Sequence, residues 1–171
     1  LDEIKDIYLE LKNWVTKHSS QNLQFNIENK NKLYTFVHVA LIRGFAYFRL
    51  SKPVIQQKKI VEEITRFYDK YNSFFSNYIN DYDKQKVMQL KSNFLILREY
   101  LSWQEGNIEK SFELLEDCLS ISEKYDFKLE YATCLLNLAV IEAELGQLTL
   151  STNRLRNCLK FYRLLNYIPG E

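Results

Sequence analysis

Two stretches of the sequence repeat one pattern and decide the fold. They are WQEGNIEKSFELLEDCLSISEKY, residues 103–125, and AELGQLTLSTNRLRNCLKFYRLL, residues 143–165. A constant shift of 40 positions aligns five identical pairs: Gly106 with Gly146, Ser111 with Ser151, Leu115 with Leu155, Cys118 with Cys158, and Leu119 with Leu159. Glycine supplies a turn at low steric cost, and the residues that follow it fall on one stripe of a helix. Each stretch predicts the end of one helix, a turn at the glycine, and a second helix.

The composition favours long helices elsewhere in the chain. With four glycines and two prolines in 171 residues, the chain has few places for the tight turns that a sandwich of short strands needs. Apolar residues recur every three to four positions through most of the sequence. We therefore predict an all-α fold of about seven helices, joined by short turns as antiparallel helical hairpins. The last three helices are predicted roughly at 107–124, 128–145 and 148–166.

The repeated pattern resembles the tetratricopeptide repeat (TPR) family. In that family a helix with a small residue midway leads to a turn glycine and then to a helix with small residues at two fixed places. The second stretch shows this pattern as Ala139, Gly146, Ser151 and Cys158, whereas the first has Glu99 where the small residue is usual. The resemblance implies hairpins stacked as a TPR-like right-handed solenoid. The helices would be extended, because the spacing of 40 exceeds the family's basic repeat of about 34 residues.

We expect one helical-repeat domain over residues 1–171. Its parts are an N-terminal helix and loop at 1–32, a diverged hairpin at 33–78, and TPR-like hairpins at 82–125 and 128–166. Lys52 takes the glycine's place in the diverged hairpin. Because the chain begins with Leu1 and not with methionine, we expect it to be a fragment of a longer chain.

The resemblance also implies a binding groove. Helical solenoids expose a concave surface, lined by the first helix of each hairpin, on which proteins or a peptide segment dock. In the second TPR-like hairpin this face carries Thr133, Asn137, Val140 and Glu144. Asn137 stands where family members often place an asparagine that pairs with a bound peptide backbone, which its amide donors and acceptor allow. Alternatively, Asn137 cross-links neighbouring helices. Its counterpart in the first TPR-like hairpin is Leu97.

Two further groups are candidate binding residues. Tyr100, Trp103 and Gln104 end the first helix of the first TPR-like hairpin, where they form either an aromatic anchor for a partner or, for Trp103, part of the core.

Arg43 lies in phase with Tyr47 on a largely apolar stripe, and a guanidinium there needs a carboxylate or carbonyl partner. Either it clamps a ligand carboxylate or it pairs internally, with Glu62 or Glu63.

Charge is distributed unevenly between the second helices of the two TPR-like hairpins. The acidic residues of the first are Glu109, Glu113, Glu116, Asp117 and Glu123, and the basic residues of the second are Arg154, Arg156, Lys160 and Arg163. Either these charges complement each other in the stack, or the basic helix takes an acidic partner.

Several function classes are disfavoured by the sequence. A formal net charge of +1 gives no field to recruit nucleic acid, and no apolar run approaches the 18 or more residues of a membrane-spanning helix. The three cysteines, Cys118, Cys134 and Cys158, form no C-x-x-C pair, which favours an intracellular, cytoplasmic or nuclear, reducing compartment. We predict no metal and no cofactor.

Catalysis finds no support in the sequence. The two histidines, His18 and His38, are separated by a predicted loop, and His38 stands among apolar residues where a buried, satisfied imidazole is usual. No phosphate-binding loop, dinucleotide-binding glycine pattern or nucleophile elbow is present. We predict that the chain is not an enzyme.

Two functions remain open. The first is a non-catalytic protein–protein interaction scaffold. The stretch SEKYDFKLEYATCLLNLAVIEAELG, residues 122–146, is similar in register to the extended repeats of anaphase-promoting complex subunit 5, a platform subunit of a ubiquitin ligase. The alternative is a peptide-sensing regulatory domain, like the repeat domains of bacterial quorum-sensing regulators. A scaffold presents broad surfaces covered by partners, whereas a sensor needs one polar groove that satisfies a peptide backbone.

Overall fold

The computed structural model describes residues 2–18, 27–77 and 81–166, and this part of the chain is helical with short turns. The seven helices within it are α1 (Asp2–His18), α2 (Ile27–Arg49), α3 (Val54–Asn77), α4 (Asp81–Gln104), α5 (Ile108–Tyr125), α6 (Lys128–Glu144) and α7 (Leu148–Leu164). The predicted all-α fold is confirmed for these ranges. The predicted loop after α1 extended to residue 32, whereas α2 already begins at Ile27. The rest of that loop, residues 19–26, lies outside the described ranges.

The chain divides into two compact units, Leu1–Leu90 and Lys91–Glu171, with the boundary inside α4. In the first unit α1 packs on α2, and α2 packs on α3. Aromatic rings hold its core together. The rings of Tyr8 and Phe36 stack with centroids 5.5 Å apart, and Phe67 meets Phe36 edge-on at 4.9 Å. Such pairs add to the stabilisation that burial of the ring surface already provides.

In the second unit α5 packs on α6, and α6 packs on α7. One tertiary contact occurs there twice. The Cys118 Sγ donates to the carbonyl oxygen of Ser92 at 3.5 Å, and the Cys158 Sγ donates to that of Ala132 at 3.3 Å. Both thiols are buried. The two donors lie 40 residues apart, as do the two acceptors, so the repeat in the sequence is also a repeat in the packing of this unit.

The turns at the two glycines are also equivalent. Gly106 and Gly146 have φ values of 75° and 77°, in the left-handed region that glycine enters most easily. At the first turn, Gly106 N–H donates to Trp103 O and Asn107 N–H to Ser102 O, both at 2.9 Å. Those two bonds form a Schellman turn, and the same pair recurs 40 residues later. The predicted glycine turns are therefore confirmed.

The diverged hairpin of the first unit turns in the same way without a glycine. Ser51 has a φ of 48°, its N–H donates to Phe48 O at 2.9 Å, and the N–H of Lys52 donates to Tyr47 O at 3.1 Å. The prediction that Lys52 takes the glycine's place was wrong by one residue. Lys52 is the residue after the left-handed position, and the small Ser51 occupies that position itself.

We expect Gly106→Ala to lower the free energy of unfolding by about 1 kcal/mol, because an L-residue is strained at this positive φ. No heavy atom lies within 4 Å of a Cβ added at this position, so the cost comes from the backbone alone. Urea denaturation measures it, with Ser120→Ala on the exposed side of α5 as the control. An unchanged midpoint for Gly106→Ala would contradict the argument.

The opposite sign is expected at Asp126, which follows α5 with a φ of 57°. Asp126→Gly removes the left-handed strain and should raise the free energy of unfolding by about 0.5 kcal/mol, net of the greater entropy of glycine in the unfolded chain. The ion pair of Asp126 with Lys128, at 3.5 Å, is largely exposed and contributes little. Thermal and urea unfolding of the variant check this expectation. A destabilised variant would show that the Asp126 side chain stabilises the turn.

Candidate functional site

Two asparagine–glutamate bridges join α4 to α6 in the second unit. The amide nitrogen of Asn137 donates to Glu99 Oε2 at 2.8 Å, and that of Asn93 donates to Glu130 Oε1 at 3.2 Å. Since both partners advance along the chain together, the two helices run parallel through this segment. Glu99 and Glu130 are buried. The bridges therefore place two carboxyl groups inside the unit, each held by an amide from the neighbouring helix.

Glu99 is the most perturbed of these carboxyl groups. Burial raises its pKa to about 7, against a model value of 4.5, and the hydrogen bond from Asn137 limits the rise. The position 40 residues later is Ala139, also buried. The sequence analysis treated Glu99 only as a departure from the family pattern. A charged residue on a stripe of small residues was nevertheless the signal that could have found this site.

Asn137 is half-buried and bound to Glu99, as the cross-linking interpretation proposed. Its counterpart Leu97 is fully buried. Thr133 is half-buried and its hydroxyl donates to Leu129 O, one turn back on α6, at 2.9 Å. Beyond Asn137 the helix opens to solvent, since Val140 and Glu144 are exposed. Partner binding by these residues stays a prediction.

The predicted residues of α4 lie in the same unit. Tyr100 and Trp103 are half-buried and Gln104 is exposed, at the end of the helix. Their half-buried rings leave part of their surface to solvent, so the structure does not decide between an anchor and core packing.

Arg43 and Tyr47 belong to the first unit, where they contact Tyr8. The Arg43 guanidinium lies 4.4 Å from the centroid of the Tyr8 ring and 5.5 Å from that of the Tyr47 ring, and it donates to the Tyr47 hydroxyl at 3.4 Å. Cation–π contacts of this kind satisfy a partly desolvated guanidinium. The predicted partners, Glu62 and Glu63, were wrong, because Glu63 pairs with Lys12 of α1 instead.

Tyr8 lies between these charges. Its hydroxyl is buried without a hydrogen bond of standard geometry. Burial raises the pKa of Tyr8, the Glu63 carboxylate raises it further, and the Arg43 guanidinium lowers it. A tyrosine with a raised pKa stays neutral and cannot act as a base at neutral pH. This cluster is therefore suited to packing α1, α2 and α3 together.

A third buried carboxylate, Glu142, pairs with Arg154 of α7. The Arg154 Nε donates to Glu142 Oε1 at 2.6 Å, while the buried Glu142 Oε2 has no hydrogen-bond partner. The proposed complementarity between α5 and α7 is therefore a wrong prediction for the described residues, among which no ion pair joins the two helices. The acid that faces α7 lies on α6.

Within the described ranges, no cluster of His, Cys, Asp and Glu is arranged to hold a metal ion. The three cysteines are free and buried, and burial raises the pKa of Cys158. His38 is exposed and stacks on Tyr34 with ring centroids 6.1 Å apart, so the expectation of a buried imidazole was wrong. None of the described helices has the length and apolar character needed to cross a membrane.

Comparison with known proteins gives no relative from which a function can be transferred. No family model matches the chain, and neither the curated proteins nor the solved structures contain a match.

Proposed function

We propose that this chain is a non-catalytic protein–protein interaction scaffold, built from TPR-like hairpins stacked in a right-handed solenoid. The observation that carries the proposal is the repeated packing of the second unit, where the Cys118 and Cys158 thiols contact equivalent carbonyls 40 residues apart. Stacked repeats of this kind generate extended surfaces, and their usual use is to hold other proteins. The role would be that of a structural subunit in a large assembly, such as a ubiquitin ligase.

The partner surface in this proposal is the outer face of α6. Val140 is 44% exposed and Leu129 is 43% exposed, and they lie on the helix that carries Asn137 and Glu144. Apolar side chains exposed beside polar ones are typical of an interface. The partner is a protein or a peptide segment, and neither nucleic acid nor a membrane is involved. The three free, buried cysteines support an intracellular location.

The test is a pull-down from the native source with three forms of the chain, and mass spectrometry of the retained proteins. Val140→Glu places a charge on the proposed surface, while Leu150→Gln changes an exposed residue of α7 and serves as the matched control. We expect a stable set of proteins that wild type and Leu150→Gln retain and Val140→Glu loses. A set retained equally by all three forms would refute the α6 surface.

A second candidate function, a peptide-sensing regulatory domain, is favoured by the pairing of Asn137 with Glu99. A peptide N–H and C=O could replace this pairing, since the Asn137 amide offers both donor and acceptor groups and Glu99 is an acceptor when ionised. Asn137→Ala separates the two functions. A short peptide retained by wild type and lost from a folded Asn137→Ala variant indicates a sensor, whereas protein subunits retained by both indicate a scaffold.

A further inference from the structure

The exposed face of α7 differs from its counterpart on α5. Leu115 is fully buried, at 0% exposure, whereas Leu155, 40 residues later, is 43% exposed. Leu119 packs against a cluster of α6 and α7 residues that includes Leu135 and Tyr162, while its counterpart Leu159 is 48% exposed. On α5 this stripe is covered by the hairpin that follows. The same stripe on α7 is a surface that a packed helix covers one repeat earlier.

Positive charge flanks this stripe. No Asp or Glu occurs in α7, and only Arg154 among its basic residues is paired, with Glu142. Arg156, Lys160 and Arg163 are exposed and make no ion pair with any described residue. These three residues line a groove of about 460 Å³ together with Leu159 and two asparagines, Asn153 and Asn157. The groove thus combines an apolar edge with donors that lack a carboxylate.

We propose that α7 docks an acidic amphipathic helix of another protein. Its apolar stripe covers Leu155 and Leu159, as α6 and α7 cover the equivalent stripe of α5. Its carboxylates pair with Arg156, Lys160 and Arg163, which explains why this surface carries only positive charge. Because α7 presents a different surface from the α6 face, this inference goes beyond the proposed scaffold function and does not depend on it.

A pair of designed peptides tests the proposal. Each has about 18 residues, enough to span the 17-residue α7, with leucine at three- and four-residue spacing. One peptide carries glutamate at the flanking positions and the other carries lysine. Fluorescence anisotropy with the whole chain measures binding. We expect the glutamate peptide to bind, more weakly as salt is raised, and the lysine peptide to bind about ten-fold more weakly or not at all.

Three variants locate the site. Leu155→Gln/Leu159→Gln should weaken binding of the glutamate peptide about ten-fold or more, because two apolar contacts are lost. Arg156→Glu/Lys160→Glu/Arg163→Glu should reverse the preference, so that the lysine peptide binds. Leu150→Gln is the matched control, since it is 53% exposed and lies nine residues before Leu159, half a turn around α7. All changed residues are exposed, and circular dichroism verifies that each variant is folded.

Other outcomes would overturn the proposal. Equal binding of the two peptides, no binding of either, or binding that the charge reversal leaves unchanged would each do so. Self-association of the chain that Leu155→Gln/Leu159→Gln abolishes would assign this face to a second copy and not to an acidic partner. Val140→Glu should bind the glutamate peptide as wild type does, which separates this surface from the α6 face.

Discussion

Arg154→Met is expected to lower the free energy of unfolding by about 2–3 kcal/mol, because it leaves the Glu142 carboxylate buried without its partner. The Glu142 side chain is 2% exposed, and its second oxygen has no hydrogen bond even in the wild type. The Arg154 side chain is 34% exposed, so solvent screens part of the ion pair and the loss stays below that of a fully buried pair. Urea denaturation near neutral pH measures the change.

Two further variants show that the loss comes from the stranded charge. Arg156→Met makes the same substitution at an exposed, unpaired position of α7 and should change stability by less than about 0.5 kcal/mol. The double variant Glu142→Leu/Arg154→Met removes both charges and should recover most of the stability, because an apolar pair replaces the ionic one. If Arg154→Met proves as neutral as Arg156→Met, the ion pair does not stabilise the α6–α7 packing.

The second large effect is the pH dependence due to Glu99. Its pKa is about 7 in the folded chain, against 4.5 as the model value for the unfolded chain. Between these values the folded chain binds more protons than the unfolded chain, so the contribution of Glu99 to stability falls as the pH rises. The contribution is fully present below about pH 4.5 and is lost as the pH passes through about 7.

Glu99→Gln should abolish this dependence. The glutamine carbonyl can still accept the hydrogen bond from Asn137, and no charge has to be buried at high pH. At about pH 8 we expect the variant to be more stable than wild type by about 2–3 kcal/mol, and the difference should vanish below about pH 4.5. Urea denaturation across this range is the measurement, with Glu109→Gln, exposed on α5, as the control. Parallel stability curves for Glu99→Gln and wild type would contradict the prediction.

The helices and the glycine turns could be predicted because both depend on local sequence. Apolar periodicity identifies a helix whatever its neighbours are, and a Schellman turn involves only a few consecutive residues, such as 102–107. Ser51 shows where this reasoning fails. The turn needs a residue at positive φ but not necessarily glycine, so its position was misjudged by one residue.

The buried polar pairs could not be predicted, because each depends on the distance between separate helices. Glu99 pairs with a residue 38 positions away, and the carboxylate nearest to Arg43 in the predicted packing, Glu63, pairs with Lys12 on another helix. Periodicity indicates that a charged side chain faces inwards, but it does not identify the opposing residue. For the same reason, the interpretation of α5 and α7 as mutually complementary missed Glu142.

The glycine turns make the second unit divisible. Every hydrogen bond of the turn at Gly106 is closed within residues 102–111, and the turn at Gly146 repeats those bonds. A cassette from 107 to 146 therefore starts and ends at the same structural point, and its cysteine meets an equivalent carbonyl in the preceding helix. An in-frame duplication of this cassette would lengthen the chain without altering a turn, by the same step through which arrays of this kind grow from tandem copies of a gene segment.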